Sequence, residues 1–291
     1  MPALLLIGPG AIGATVAAWL AQHERNHVSV AVRTPLDSLE VTTRQGVIRA
    51  QPLVLTDPAQ AQHVDWILVA TKVYDSESAA AWFPDATGQH TRLAVLQNGV
   101  EHVARFENHF DRERIVPVMI DLPAERTAPG RTVQRGPARL VVPAGKNGAD
   151  FSAMFAATHF DLKQSDDFTT ALWKKLCLNC AGAVLAVVAK PAAIAHHDGV
   201  AGIMRTLVRE CVAVGRAEGA TLEDSIADEI VDRTRRGPRD SGNSMYVDRM
   251  AGRPMEYDAR NGVIVRLGKK HGIEAPMNAL MVTLLEAVQQ A

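Results

Sequence analysis

Apolar and polar positions along this chain follow two regimes. Leu4 to Ile7 is an unbroken apolar block too short for a helix, the pattern of a strand buried on both faces. From Ala14 to Gln22 the apolar residues take helical spacing, which predicts a helix packed back onto that strand. Val28 to Val32 is a second β-branched run, and strand signals recur at Trp66 to Ala70, Leu93 to Gln97 and Ile115 to Met119. The segments between them are long enough for crossover helices, so a mostly parallel sheet with helices on both faces is expected. From about Pro129 to Val142, Gly130, Gly136 and Pro137 punctuate short β-branched pieces, which predicts antiparallel strands appended to the sheet edge. After Asp166 the spacing turns helical at Phe168 to Ala189, Gly199 to Glu218, Leu222 to Arg235, Met255 to His271 and Pro276 to Gln289. Gly272 stops one of these helices and Pro276 opens the next.

The turn between the first strand and the first helix carries Gly8, Pro9, Gly10, Ala11, Ile12 and Gly13. In this setting each glycine has a separate reason. Gly8 permits a tight bend, Gly10 lets the backbone approach a pyrophosphate, and Gly13 lets helix and strand pack closely. Free N–H groups at the helix start would face the phosphates. Arg33-Thr34 follows the second strand where the ribose of a dinucleotide should lie. An acidic residue there suits NAD, whereas an arginine suits a 2′-phosphate, so NADP(H) is the expected cofactor. The alternative is that Arg33 is a solvated loop residue. The expected fold class is α/β, an N-terminal Rossmann-type doubly wound sheet followed by an all-α C-terminal domain. The boundary falls near residue 166, giving domains 1–166 and 167–291 with a cleft between them.

Length and composition narrow the function without naming it. A chain of 291 residues, 47% hydrophobic and 22% charged, is ordinary for a globular protein of about two domains. A formal charge of −1 gives no electrostatic case for nucleic acid or an acidic membrane as a partner. The stretch Ala181 to Ala189 is too short to span a bilayer and no signal-peptide pattern precedes the first strand, so a cytoplasmic protein is expected. Three cysteines, Cys177, Cys180 and Cys211, argue against a disulfide framework. The spacing Cys177-x-x-Cys180 lies inside an apolar helical pattern with no second pair, so buried helix cysteines are expected and no metal site is assigned. His196-His197 is read as a loop or cap pair.

Several polar groups stand out in apolar surroundings. Thr71-Lys72 and Gln97-Asn98-Gly99 both follow buried strands, at the carboxyl edge where doubly wound sheets bind ligands. Asn98-Gly99 is also an ordinary turn pair, but the Asn98 side chain would emerge beside a nicotinamide. Lys175 and Asn179 fall one turn apart on a single helical face in Trp173-Lys174-Lys175-Leu176-Cys177-Leu178-Asn179. A lysine desolvated there becomes a better proton donor; the alternative is a lysine pair solvated at the helix start. Ser244, Asp248 and Glu256 cluster further on, and Glu256 near a helix N-terminus would also serve as a favourable dipole partner.

Taken together these motifs resemble the ketopantoate reductases (2-dehydropantoate 2-reductases). The likeness runs through the glycine turn at 8–13, Arg33, Thr71-Lys72, Gln97-Asn98-Gly99 and the Trp-Lys-Lys-Leu-x-x-Asn helix. It continues through Ser244-Met245-x-x-Asp248, Glu256 with Asn261-Gly262, and His271-Gly272-Ile273-x-x-Pro276. The resemblance implies that NADPH delivers hydride to the C2 carbonyl of a branched 2-oxo acid, a reaction of pantothenate biosynthesis, in a site closed over by the helical domain. It implies that Lys175 polarises the carbonyl and protonates the nascent alkoxide, and that Glu256 interacts with Lys175 and a substrate hydroxyl. Asn98, Asn179 and Ser244 would hold the substrate's polar groups, and Lys72 and Asn98 would lie near the cofactor. One position departs from the pattern: where the family places a second asparagine one turn after Asn179, this chain has Ala183. Reduction of a different 2-oxo acid is therefore an open alternative, as is a non-catalytic NADP(H)-binding protein. The expected partner is a small-molecule 2-oxo acid, and the apolar C-terminal helices would serve the interface of a homodimer as well as a core.

Overall fold

Leu4, Leu5, Leu6 and Ile7 lie in strand β1 (Ala3–Ile7), and all four are buried. A computed structural model describes residues 2–290 and divides the chain into two units, Met1–Phe168 and Thr169–Ala291. After β1 the first unit runs through α1 (Ala11–Leu20), β2 (His27–Ala31), β3 (Leu39–Thr43), β4 (Gly46–Ala50), β5 (Leu53–Leu55) and β6 (Val64–Val69). It continues with α2 (Ser76–Ala80), α3 (Phe83–Ala86), β7 (Thr87–Val95), β8 (Ile115–Pro117), β9 (Met119–Asp121), β10 (Ala124–Ala128) and β11 (Arg131–Gln134). Strand β12 (Arg139–Pro143), helix α4 (Lys146–Met154) and strand β13 (Asp161–Ser165) complete it.

The main sheet has the order β5-β2-β1-β6-β7-β8 with every pair parallel. Alternate side chains enter two different cores. Leu4, Leu6, Trp66, Leu68 and Ala94 pack with Val16, Ala17 and Leu20 of α1. Leu5, Ile7, Ile67, Val69, Leu93 and Val95 pack with Ala80, Phe83, Ala86 and Phe106 on the other face. Burial on both sides explains why these strands read as continuous apolar runs. The chain reverses direction across the sheet between β1 and β6, so the loops after both strands open at the same carboxyl edge.

The segments between strands differ from the expected crossovers. Between strands of the main sheet, only the β1–β2 and β6–β7 connections contain α-helices. Between β2 and β5 the chain forms the antiparallel β3–β4 pair, with Val41 opposite Ile48. The later strands do not extend the main sheet either. Strands β10, β11, β3 and β4 form a second sheet, in which β11 and β3 run parallel, while β13, β12 and β9 form a third. The second sheet is held against α1: Trp19 Nε1 donates to Gln134 Oε1 at 2.9 Å, and the Thr15 and Thr132 hydroxyls meet at 3.1 Å. Those partners are more than 110 residues apart, a contact that local periodicity does not report.

The second unit is helical: α5 (Phe168–Ala181), α6 (Ala183–Val188), α7 (Asp198–Ala217), α8 (Ile226–Arg236), α9 (Ser244–Met250), α10 (Val263–His271) and α11 (Pro276–Gln290). The single helix expected at 168–189 is interrupted at Gly182, whose carbonyl accepts a 2.8 Å bond from Asn243 Nδ2. Helix α9 was not anticipated; Asn243 caps it by accepting from the Tyr246 N–H at 2.8 Å. Phe168–Val188 as a whole is long and apolar enough to cross a membrane, unlike the shorter stretch 181–189, but 61% of its most apolar window is buried inside the protein. It is a core element of this unit.

Two motif blocks near the C-terminus have structural reasons. Asn261 Nδ2 donates to Asn278 Oδ1 at 2.9 Å and to the Cys180 carbonyl at 3.3 Å, joining α11 to α5. Glu210 Oε2 accepts from the side chain and N–H of Asn278, at 2.7 and 2.9 Å, covering donors at the start of α11. Gly272 adopts φ +68° and ends α10 in a left-handed cap.

The two-faced sheet predicts a sharp contrast between strands. Leu68→Ala, at a position 0% exposed, should lower unfolding free energy by about 2–5 kcal/mol. Leu53→Ala on the edge strand, at a position 66% exposed, should change it by about 0.5 kcal/mol or less. Urea denaturation measures both, and equal effects would contradict the assignment of Leu68 to the core.

Candidate active site

The glycine turn is built as a ligand cradle. Gly8 sits at φ +85°, where a side chain is strained, and a Cβ there would lie 2.6 Å from Thr71 Cγ2. Gly13 falls within the first turn of α1 rather than in the loop, and a Cβ on it would strike the Gly8 carbonyl and approach Leu6 Cδ2 to 2.9 Å. Around Gly10, by contrast, a Cβ would meet nothing within 4 Å. Gly10 is the N-cap of α1 and supplies no side-chain cap, so the helix start offers N–H donors to an anion approaching over open backbone. These residues fit the pyrophosphate of a dinucleotide. Pro9, Ala11 and Ile12 complete the turn.

Arg33 lies just beyond β2 with its side chain 86% exposed, its Nη2 3.4 Å from Asp75 Oδ2. It is a solvent-exposed cation at the strand end, ion-paired to the loop after β6. Lys72 caps the short turn Val73–Asp75 in that loop, and Asn98 is half-buried after β7.

A residue not assigned a role from sequence holds these loops together. Gln97 is buried, and its Nε2 donates to Thr71 Oγ1 at 3.0 Å, Ser76 Oγ at 3.1 Å and the Lys72 carbonyl at 3.4 Å. Its own carbonyl accepts from His102 Nε2 at 2.8 Å, and Arg105 Nη1 donates to Gln97 Oε1 at 3.3 Å. The signal was present: an amide ending a buried apolar strand needs partners. Burial, reinforced by the Arg105 charge, pushes the His102 imidazole down to about 3.

In the second unit Lys175 and Asn179 share one face of α5, as the spacing predicted. Of the lysine pair, Lys174 is exposed and Lys175 half-buried. Ser244 is exposed at the first residue of α9, directly after its Asn243 cap. Glu256 is buried and precedes a π-helical turn, Asp258–Gly262. That turn carries Arg260, which sequence reasoning also missed. Its Nη2 donates to Ser244 Oγ at 2.7 Å and lies 3.9 Å from Glu256 Oε2. The only sequence signal was a charge four residues after Glu256 on an otherwise apolar face with Ala259, Val263 and Ile264. Asp248 is buried and accepts from Arg253 Nε at 2.9 Å, a structural pair.

The thiols have a structural role. Cys177, Cys180 and Cys211 are free and buried, with Cys177 and Cys211 sulfurs 3.5 Å apart. Burial raises the Cys180 thiol and pushes Cys211 well above its ordinary range, so both stay protonated. Among the described residues no cluster of metal-ligating side chains occurs.

A parallel sheet with an uncrowded glycine turn at its switch point, followed by a helical unit bearing lysine, asparagine, serine and glutamate, defines a dinucleotide-dependent oxidoreductase of the Rossmann class. The chain belongs to the ketopantoate reductase family. The family model described as "Ketopantoate reductase PanE/ApbA" matches residues 4–147, and its C-terminal counterpart matches residues 167–289. The chain is 53% identical to the 2-dehydropantoate 2-reductase of Caulobacter vibrioides, covering 99% of both. It is 38% identical to that of Mycobacterium tuberculosis, covering 98% of this chain and 97% of the relative. A crystal structure of a PanE/ApbA family ketopantoate reductase from Ralstonia eutropha superimposes with a TM-score of 0.90 at 30% identity, covering 99% and 98% of the two chains.

Two predictions follow from the cradle and its support. Gly10→Ala should leave stability within about 1 kcal/mol yet weaken NADPH binding about tenfold or more, while Gly13→Ala should cost about 1–3 kcal/mol of stability. Fluorescence titration and denaturation separate the two; a Gly10→Ala variant with native affinity would refute the cradle. His102 binds a proton more readily unfolded than folded between about pH 6.5 and 3, so stability falls on acidification through that window. Its share of the loss between pH 7 and pH 4.5 should be about 2–3 kcal/mol. His102→Gln should lack that share, and an unchanged acid dependence in urea melts would contradict it.

Proposed function

We propose that this protein reduces 2-dehydropantoate to pantoate with NADPH. The observation that carries the reading is the pairing, in one chain of this family, of an open glycine cradle with Lys175, Asn179, Ser244 and Glu256. Bound NADPH supplies the hydride that adds to the C2 carbonyl carbon. As that bond forms, negative charge grows on the carbonyl oxygen. Lys175 holds its ammonium toward that oxygen, stabilises the charge and then donates its Nζ proton to complete the alcohol. A cation placed beforehand stabilises the transition state more than the ground state. Glu256 holds Lys175 in orientation and accepts from a substrate hydroxyl. Asn98, Asn179 and Ser244 bind the remaining polar groups, and Lys72 and Arg33 serve the cofactor, Arg33 by meeting the 2′-phosphate.

The coverage of nearly the whole length of the Caulobacter vibrioides and Mycobacterium tuberculosis 2-dehydropantoate 2-reductases supports the same substrate. Ala183 supports a second reading within the class. It is buried at the first residue of α6, where it offers no side-chain donor, so a 2-oxo acid with a more apolar tail is the competing substrate. A panel of 2-oxo acids ranked by kcat/KM distinguishes the two. The free, buried thiols support a cytoplasmic location. Leu280 and Leu284, exposed on one face of α11, support a homodimer.

Lys175→Met should lower kcat at least about 100-fold while leaving NADPH affinity within about threefold. Stopped-flow absorbance of the reduced cofactor reads the first and fluorescence titration the second; a kcat near that of the parent protein would remove Lys175 from the mechanism. Arg33→Ser should raise KM for NADPH about tenfold or more with little change for NADH. Equal shifts for the two cofactors would show that Arg33 does not contact the 2′-phosphate.

A further inference from the structure

Arg260 is 1% exposed, one of the largest fully buried side chains of the protein, and its hydrogen bonding is incomplete. Nη2 is engaged by Ser244 Oγ at 2.7 Å, but Nε and Nη1 are buried with no hydrogen-bond partner. Withdrawing a guanidinium from water is costly, and the cost is recovered only when its fork is filled. Glu256 at 3.9 Å supplies charge without a close hydrogen bond, and Asp248 adds to the field. Packing alone does not account for a cation here.

Its effect on Ser244 does. A hydroxyl has one hydrogen and two lone pairs, whereas a guanidinium has donors only. Ser244 Oγ must therefore accept from Arg260, which leaves the Ser244 hydrogen for some other acceptor. The serine itself is exposed and fixed in direction by Asn243, which caps α9 and bonds the Gly182 carbonyl at 2.8 Å. With a buried cation behind its oxygen, the outward O–H is polarised and suited to an anionic acceptor.

We propose that Arg260 is a positioning and specificity residue that holds Ser244 as an obligate, charge-assisted donor to the carboxylate of the substrate. Arg260 acts through Ser244 and does not touch the substrate itself. This strengthens one donor in a chain whose Ala183 supplies none. The proposal rests on the 2-oxo acid reading above for the identity of the ligand.

The test compares the parent protein with R260M, R260K, S244A and the S244A/R260M pair. Turnover of 2-dehydropantoate and of its uncharged lactone is measured, together with calorimetric binding of pantoate and its lactone to protein loaded with NADP+. R260M should raise KM for the acid about 10- to 100-fold with kcat changed less than about threefold, and leave the lactone and NADPH nearly unaffected. R260K, which retains a cationic donor, should recover part of the loss, and the double variant should be no worse than S244A alone. Equal losses for acid and lactone, or losses that multiply in the double variant, would overturn the proposal. Should R260M fail to fold, S244A at its exposed position decides: retained preference for the acid overturns the proposal, and lost preference with partial function in R260K sustains it. A parent protein that turns over no 2-oxo acid would refute the functional reading alone, and carboxylate-over-lactone binding in parent and variants would still decide the role of Arg260.

Discussion

Burial of both faces of one parallel sheet is the constraint on which the rest of the first unit depends. Because Leu4 and Leu6 enter one core and Leu5 and Ile7 the other, β1 has no solvent face and cannot slip register without exposing apolar surface. With the strands locked, the reversal between β1 and β6 brings the loops at Gly8, Thr71 and Gln97 to one edge. The functional loops are thus irregular backbone held by a rigid scaffold. Gln97 completes that support, since one buried amide is shared among Thr71, Lys72 and Ser76.

The helical unit meets the same requirement by other means. Its helices are joined by polar groups, with the buried Asn261 and Asn278 and the half-buried Glu210 linking α5, α7 and α11. Such directional bonds form in only one arrangement of the helices, so they contribute uniqueness as well as stability. Several motif residues behind the family resemblance belong to this framework and not to the chemistry. Asn261 and Gly272 set helix geometry, while Lys175, Asn179, Ser244 and Glu256 carry the polar groups assigned to substrate.

Arg260 departs from this economy. Asp248 closes a pair with Arg253 at 2.9 Å, whereas two of the Arg260 donors find no acceptor. Incomplete satisfaction at a π-helical turn is the kind of local cost that functional sites retain. It also ties Ser244 to Glu256, joining two side chains that are 12 positions apart in sequence.

What was legible in the sequence was whatever depends on neighbours within a turn or a strand. The apolar run of β1, the glycine turn behind it and the Lys175–Asn179 spacing express local steric and periodic rules, and the first two set the fold class. The Ser244 to Glu256 region was legible only as a family pattern. The β3–β4 pair, the two further sheets and the break at Gly182 were not legible, because they rest on partners such as Trp19 with Gln134 and Gly182 with Asn243, distant in sequence. The hub role of Gln97 and the burial of Arg260 belong to the same class. Hydrogen bonds and desolvation act through space, so only the tertiary structure decided which polar residues became framework.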